Sequence, residues 1–391
     1  MCHTPAMASN DPFGLRSLDI DALRRRRGAK WQAHPAPFAA WVADMDFEVA
    51  PPIAAALHEL VDAHELGYPN WGGPYARSPA AKLFPARMAE RYGWDLDSGR
   101  VHDLVDVIQG VRAAIHHRTE PGDGIVLHLP AYHPFLDSIE PAGRHLIGVG
   151  HTGDGFDYDD LDERLGHDRR ARLWILCHPH NPLGHGFDVP ELERIAEIAL
   201  RHDLVVVSDE IHADLTLPGH THVPFASLSS EVAARTITVT SASKAFNLAG
   251  LRWAVVHAGD REFHDALDAL PGHYLGAPNL MGVTAAAAAW TEGDGWLDAV
   301  VDVLDGNRHL LVDLLAEHLP GVGYRPPDAT YLAWLDVSTL DLGDDPAAVF
   351  RERGVELSPG AQFGRGGEGH VRLNFATSPA VLRDLVTTMA G

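Results

Sequence analysis

Short apolar runs alternate with helical patterns through the middle of the chain, and this alternation constrains the fold more than any other feature. The run Leu204–Val207 is uninterrupted, which is typical of a strand covered on both faces in a parallel sheet. The residues Val189–Arg201 before it have apolar positions at helical spacing, behind a capping box formed by Asp188 and Glu191. The pattern predicts an α/β fold with a mostly parallel sheet, right-handed crossovers and helices on both faces.

The same pattern divides the chain into two parts. Further strands are predicted at Val101–Val107, Ile125–Leu129, Leu173–Cys177, Thr236–Thr240 and Trp253–His257. After about Met281 an alanine-rich helix and a long amphipathic stretch are followed by strands near residues 330–335 and 369–375. We therefore predict a large domain over residues 50–282, a smaller α+β domain from residues 13–49 plus 283–391, and a disordered tail over residues 1–12.

Charge excludes some classes of partner. The 391 residues include 54 acidic and 31 basic side chains, giving a net charge of −23. Such a field argues against nucleic acid and against an anionic membrane surface as partners. Most of the 25 histidines are scattered singly, so we predict no metal site.

Two further patterns bear on location. Residues 269–291 lack charged side chains, but Pro271, Pro278 and Asn279 interrupt them, so we predict no membrane span. The cysteines, Cys2 and Cys177, suggest no disulfide framework, and no secretory signal is visible at the N-terminus. Both observations favour the cytoplasm.

Polar or glycine features follow five successive predicted strands. They are Gly110-Val111, Tyr132, Asn181, Asp209 and the group Ser241, Ser243 and Lys244. Ligands of open parallel sheets bind outside the carboxyl ends of the strands. Ordinary turns explain Asn181 and Gly110 well, but they do not explain an aspartate leaving a buried strand together with an S-x-S-K sequence.

This set of residues matches pyridoxal phosphate. A partly desolvated lysine such as Lys244 can form a Schiff base, and Asp209 would pair with a protonated ring nitrogen. Asn181 would donate to the ring hydroxyl, and Tyr132 would stack on the ring face. The phosphate would be held by the backbone N–H groups of Gly110 and Val111 at a helix start and by Ser241, Ser243 and Arg252.

The motifs carry a resemblance to a known family. They are Trp-Val-Ala-Asp-Met-Asp-Phe (41–47), Pro-Ala-Tyr (130–132), Asn-Pro-Leu-Gly (181–184), Ser-Asp-Glu-Ile-His (208–212), Ser-Lys-Ala-Phe-Asn (243–247), Thr-Tyr-Leu-Ala-Trp-Leu-Asp (330–336) and Val-Arg-Leu-Asn (371–374). From about Lys30 onward the chain resembles the pyridoxal-phosphate enzymes of aminotransferase class I/II, fold type I. Within them it is most similar to the MalY/PatB-type cystathionine β-lyases, which are carbon–sulfur lyases.

The resemblance implies further roles and an activity. Arg372 corresponds to the arginine that binds the substrate α-carboxylate, and His212 stands where typical aminotransferases carry tyrosine. Tyr68 corresponds to the tyrosine that reaches the phosphate of the neighbouring subunit, which implies a homodimer with shared active sites. The expected reaction is β-elimination from cystathionine or another cysteine S-conjugate, an amino-acid substrate, with Lys244 moving the Cα proton.

Two alternatives stay open. Arg252 follows the aminotransferase pattern, so transamination on the same cofactor is the first. The second is a regulatory or scaffold protein that kept the fold, against which the intact Lys244 and Asp209 argue.

Overall fold

The computed structural model describes residues 11–72, 76–153, 155–271 and 274–391. Residues 1–10 of the tail predicted to be disordered lie outside this part of the chain. The prediction is wrong for residues 11 and 12, which form a turn, because the Asp11 carboxylate accepts hydrogen bonds from the backbone N–H groups of Leu15 and Arg16.

The described strands form three sheets. They are β1 (Phe38–Ala39), β2 (Val101–Leu104), β3 (Gly124–Leu129), β4 (His145–Thr152), β5 (Gly155–Phe156), β6 (Ala171–Cys177), β7 (Val205–Asp209), β8 (Thr236–Thr240), β9 (Ala254–Ala258), β10 (Gly323–Tyr324), β11 (Leu332–Asp336), β12 (Val355–Glu356), β13 (Ser358–Pro359) and β14 (His370–Asn374).

The largest sheet has the order β2-β9-β8-β7-β6-β3-β4-β5. Strands β4, β3, β6, β7 and β8 run parallel to one another, β5 is antiparallel to β4, and β9 is antiparallel to both β8 and β2. The predicted α/β fold with a mostly parallel sheet is confirmed. Alternate side chains of the central strands enter separate apolar cores, because helices cover both faces.

The helices connect these strands and fill the second part of the molecule. They are α1 (Ile20–Arg24), α2 (Ala29–Gln32), α3 (Pro51–Asp62), α4 (Pro79–Tyr92), α5 (Val107–Arg118), α6 (His133–Ile139), α7 (Tyr158–His167), α8 (Val189–Arg201), α9 (Ser230–Ala233), α10 (Arg261–Ala269), α11 (Leu280–Glu292), α12 (Asp294–His318), α13 (Pro346–Glu352) and α14 (Pro379–Ala390). Among the described residues, none of these helices combines the length and the apolar character needed to cross a membrane.

The N-terminal segment packs with the C-terminal part of the chain. Strand β1 pairs in parallel with β12, and β10, β11, β14 and β13 form a four-stranded antiparallel sheet. This arrangement places Arg372 of β14 opposite the carboxyl ends of the large sheet, where it shares a cleft with Asn181.

Candidate active site

A cavity of about 230 Å³ lies at the carboxyl ends of the central strands. Nine of the predicted site residues line it, namely Tyr132, Asn181, Asp209, His212, Ser241, Ser243, Lys244, Arg252 and Arg372. A larger cavity of about 570 Å³ holds none of the predicted site residues. Most of the residues that the sequence placed at strand ends therefore line the same cavity.

Lys244 follows β8 and is enclosed in this cavity. Its Nζ donates a 2.9 Å hydrogen bond to the Ala43 carbonyl oxygen. Burial lowers the pKa of the amine; the negative charge of Asp44 opposes this shift and the positive charge of Arg372 adds to it. A lysine in this setting gives up its proton more readily than one in water, as a nucleophile and base requires.

Asp209 is the last residue of β7, and its side chain is buried. Burial raises the pKa of the carboxyl group from 3.8 to about 7, although the Ile211 N–H bonds Oδ1 at 3.1 Å and opposes the shift. Only half of these carboxyl groups would then be ionised near neutral pH. A cationic nitrogen bound beside Asp209 would restore the charge, as the protonated ring nitrogen of pyridoxal phosphate would.

Arg372 is held in place by a dense set of acceptors. Nη1 donates to Asn181 Oδ1 at 2.9 Å, and Nη2 donates to the Trp41 carbonyl oxygen at 2.8 Å and to Ser358 Oγ at 3.2 Å. The guanidinium lies 4.9 Å from the centre of the Phe363 ring, and burial lowers its pKa to about 10. Its Nε has no partner among the described residues, so a donor remains for a carboxylate.

His212 presents a second buried polar atom without a partner. Its Nδ1 makes no hydrogen bond within the described part of the chain. Burial, together with the positive charges of Lys244 and Arg372, lowers the pKa of the imidazole to about 3. The ring is therefore neutral at pH 7, and His212 is one of the residues that line the cavity.

The segment Trp41–Asp44 lies across the cavity and is fixed through its backbone. The Trp41 carbonyl accepts from Arg372. The Ala43 carbonyl accepts from Lys244 and also from the Tyr331 hydroxyl, the latter at 2.8 Å. Asn374 Nδ2 donates to the carbonyl oxygens of Val42 and Asp44 at 2.7 and 2.6 Å. Side chains from distant parts of the chain therefore hold this segment in place through its carbonyl groups.

The prediction for Gly110 and Val111 is wrong. Helix α5 begins at Val107, not at Gly110, because the Asp106 side chain caps it by accepting from the Gln109 N–H at 2.7 Å. At the fourth and fifth helical positions the N–H groups donate within the helix and are not free. The residues that line the cavity here are Val107 and Ile108.

The sequence contains a signal for the start of α5. Asp106 and Gln109 have the spacing of a capping box, and the Gln109 side chain accepts from the N–H of Val105 at 2.9 Å. Ser358 and Phe363, which position Arg372, had no comparable signal, because they meet it only in the folded chain.

The remaining predicted residues differ in their placement. Ser241 Oγ donates to the Trp253 carbonyl at 2.6 Å and accepts from the N–H of Ser243, so it also shapes the turn. Arg252 has a left-handed φ of 55° and lies 3.3 Å from Asp106 with its side chain 61% exposed. Tyr68 is fully exposed and lies outside the cavity of its own chain.

The chain belongs to the aminotransferase class I and II family, whose model matches residues 53–389. Its fold is that of this family, as the resemblance in the sequence implied.

Within this family, the chain is similar to several carbon–sulfur lyases. The chain is 38% identical to the cystathionine β-lyase PatB of Bacillus subtilis, over 88% of this chain and 89% of that one. It is 34% identical to the cystathionine β-lyase of Corynebacterium glutamicum, over 95% and 98% of the two chains. The crystal structure of the PLP-bound C–S lyase from Staphylococcus hominis superimposes with a TM-score of 0.87 at 28% identity, covering 94% of this chain and 96% of that one.

Proposed function

We propose that this chain is a pyridoxal-phosphate-dependent carbon–sulfur lyase, which cleaves L-cystathionine or other cysteine S-conjugates to a thiol, pyruvate and ammonia. One observation carries the proposal: Lys244, Asp209 and Arg372 converge on one cavity in a chain closely similar to named cystathionine β-lyases.

The residues of the cavity fit the cofactor. Lys244 would bind its aldehyde, Asp209 its ring nitrogen, Asn181 its hydroxyl group and Tyr132 its ring face, and the neutral His212 lines the same cavity. For the phosphate we propose the free N–H groups of Val107 and Ile108 at the start of α5, with Ser241, Ser243 and Arg252. When bound, pyridoxal phosphate supplies a ring that accepts electrons from the substrate α-carbon.

Arg372 is proposed to orient the substrate. Its Nη atoms are already bound to Asn181, Trp41 and Ser358, so the planar group cannot rotate freely. Three of its five N–H groups make these bonds, so Nε–H and one N–H of Nη1 remain to donate to the α-carboxylate, and the low local polarity strengthens this ion pair. The carboxylate held in this way fixes which bond at the α-carbon faces Lys244.

Lys244 is proposed to move the proton. Once released, its Nζ can take the proton from the α-carbon, and burial lowers the pKa of the amine, which favours the neutral form that accepts a proton. The Ala43 carbonyl oxygen, 2.9 Å from Nζ, provides an acceptor that holds the amine in the cleft.

The exposure of Tyr68 supports the proposal of a homodimer with shared active sites. Its side chain is fully exposed although tyrosine buries a large apolar area when it is used in a site. Leu66 and Tyr274 are also exposed, by 58% and 63%. We propose that Tyr68 reaches the phosphate site of a second copy of this chain.

The cytoplasm is the proposed location, on the ground of cysteine usage. The thiol of Cys177 is buried and free, and Cys2 lies outside the described residues.

The decisive experiment measures pyruvate. Purified, cofactor-loaded protein is expected to release pyruvate and a thiol from cystathionine, and Lys244→Ala is expected to release none. The chain has three lysines, so borohydride reduction followed by peptide mass spectrometry should place the cofactor on Lys244 alone. Lys82→Ala, which removes an exposed side chain bonded to the Trp71 carbonyl, is the matched control and should keep full activity.

Transamination is the second candidate, because the matched family model is that of aminotransferases and both reactions use Lys244, Asp209 and Arg372. The absorption spectrum separates the two. An amino acid alone converts an aminotransferase to a stable pyridoxamine form, whereas elimination restores the starting spectrum. Protein that binds the cofactor but gives no pyruvate from any cysteine conjugate would contradict the lyase proposal.

A further inference from the structure

A cluster of two histidines and one carboxylate lies away from the active-site cavity, on the edge of the large sheet. His102 is in β2, at the end of the sheet order, while His264 and Asp268 are four residues apart on α10. Residues at this spacing share one face of a helix. Two of the three side chains are half-buried, and Asp268 is exposed.

The potential ligand atoms of the three side chains converge. His102 Nε2 lies 3.1 Å from His264 Nδ1. The Asp268 carboxylate lies 3.8 Å from His102 Nδ1 and 3.6 Å from His264 Nε2. One ligand atom from each residue lies within 4.8 Å of the others.

We propose that His102, His264 and Asp268 bind a divalent transition-metal ion of the Zn²⁺ class. Zinc bonds to imidazole nitrogen and carboxylate oxygen are about 2.0–2.2 Å long, which puts tetrahedral ligands about 3.4 Å apart. With one ligand atom taken from each residue, the separations reach up to 4.8 Å, so the atoms would have to approach one another by up to about 1.4 Å, and the exposed Asp268 side chain is free to move. Water would complete the coordination.

The charges around the cluster bear on the binding of a cation. Asp268 supplies negative charge. Arg77 lies near His102 and opposes a cation, but its guanidinium is bound to the carbonyl oxygens of Ser98 and Gly99.

A bound ion would join α10 to β2. Helix α10 packs against α5, the helix whose first turn lines the active-site cavity. The expected consequence is added stability at this edge of the large sheet, because an ion that binds the folded state alone stabilises it.

The test titrates Zn²⁺ into the cofactor-loaded, tag-free protein after treatment with a chelator. We expect one saturable site by calorimetry, visible d–d absorption when Co²⁺ replaces Zn²⁺, and a rise in the unfolding temperature. His264→Ala and Asp268→Asn should each weaken binding at least about tenfold and remove the thermal shift. Asp268 is exposed, so Asp268→Asn should not impair folding.

The chain offers a matched control. His309 and Asp305 form another pair four residues apart on α12, with His309 Nε2 3.7 Å from Asp305 Oδ1. His309→Ala should leave the binding and the thermal shift unchanged. The proposal is overturned if wild-type protein shows no saturable site, or if His264→Ala and Asp268→Asn bind Zn²⁺ as tightly as wild type does.

Discussion

The carboxyl group of Asp209 shows how one residue can be unfavourable for the fold and useful for the site. It is buried at the end of β7 with a single backbone N–H to bind it. Its pKa is about 7 in the folded chain against 3.8 for an unperturbed carboxyl. The ionised carboxylate therefore destabilises the folded chain until a cation lies beside it.

The pH dependence of stability follows from this shift. Between about pH 4 and pH 7 the folded chain keeps a proton that the unfolded chain has lost, so stability falls as the pH rises. The shift is about three pH units, which corresponds to at most about 4 kcal/mol. Without cofactor, Asp209→Asn should therefore be more stable than wild type at pH 8 and should differ little from it at pH 4.

Urea unfolding of the cofactor-free chain at several pH values measures this difference. Asp159→Asn, at a side chain that is 93% exposed, is the control and should follow wild type at each pH. Equal pH slopes for wild type and Asp209→Asn would contradict the argument. The same variant should bind pyridoxal phosphate weakly and lose lyase activity, because the ring nitrogen loses its counter-charge.

At the scale of elements, helix α5 approaches the sheet closely because residue 110 has no side chain. A Cβ placed on Gly110 would lie 2.7 Å from Leu104 Cδ1 and 2.8 Å from Val239 Cγ1. The glycine thus brings the start of the helix close to the strand ends, although its own N–H does not line the cavity. Gly110 therefore allows α5 to pack closely against Leu104 and Val239.

Gly110→Ala is expected to destabilise the protein by about 1–3 kcal/mol, because the added methyl group overpacks this contact. Gly306→Ala on α12 is the matched control, since nothing lies within 4 Å of a Cβ built there. It should stabilise the chain by about 0.5–1 kcal/mol, as expected for alanine in place of glycine in a helix. Denaturant unfolding curves measure both, and a neutral Gly110→Ala would show that the helix can move away without loss.

Local patterns predicted the elements well where one signal dominates. Strand β8 and helix α8 have the predicted bounds, because β-branched residues fill the first and a capping aspartate with helical spacing defines the second. Strand β2 was predicted three residues too long, because Asp106 caps α5. The contacts of Arg372 with Trp41 and Ser358 join residues far apart in sequence, and no local pattern contains such information.

At the scale of the whole molecule, three cationic side chains meet in one cavity of a chain whose net charge is negative. The chain carries a net charge of −23, yet Lys244, Arg252 and Arg372 line one cavity. We therefore expect local cations, and not the overall field, to bind the anionic groups of a ligand. The division into residues 50–282 and the two flanking segments stays a prediction; its boundary at residues 282–283 falls inside α11.

The proposed dimer allows a test that uses both subunits. If Tyr68 completes the site of the partner, a Lys244→Ala chain can still offer Tyr68, and a Tyr68→Ala chain can still offer Lys244. Each hybrid dimer then contains one intact site and one site that lacks both residues. Each variant alone should have little or no lyase activity, because all of its sites lack one of the two groups.

Mixing the two variants after reversible dissociation should restore activity. In an equal statistical mixture half of the dimers are hybrids with one intact site out of two, so the expected recovery is about a quarter of the wild-type rate. Sedimentation velocity checks that both variants are dimers, and pyruvate release measures the recovery. Lys244→Ala mixed with itself is the control. If folded, dimeric variants exchange subunits and no activity returns, Tyr68 does not act across the interface, because a residue that acts only in its own chain would leave every hybrid site incomplete.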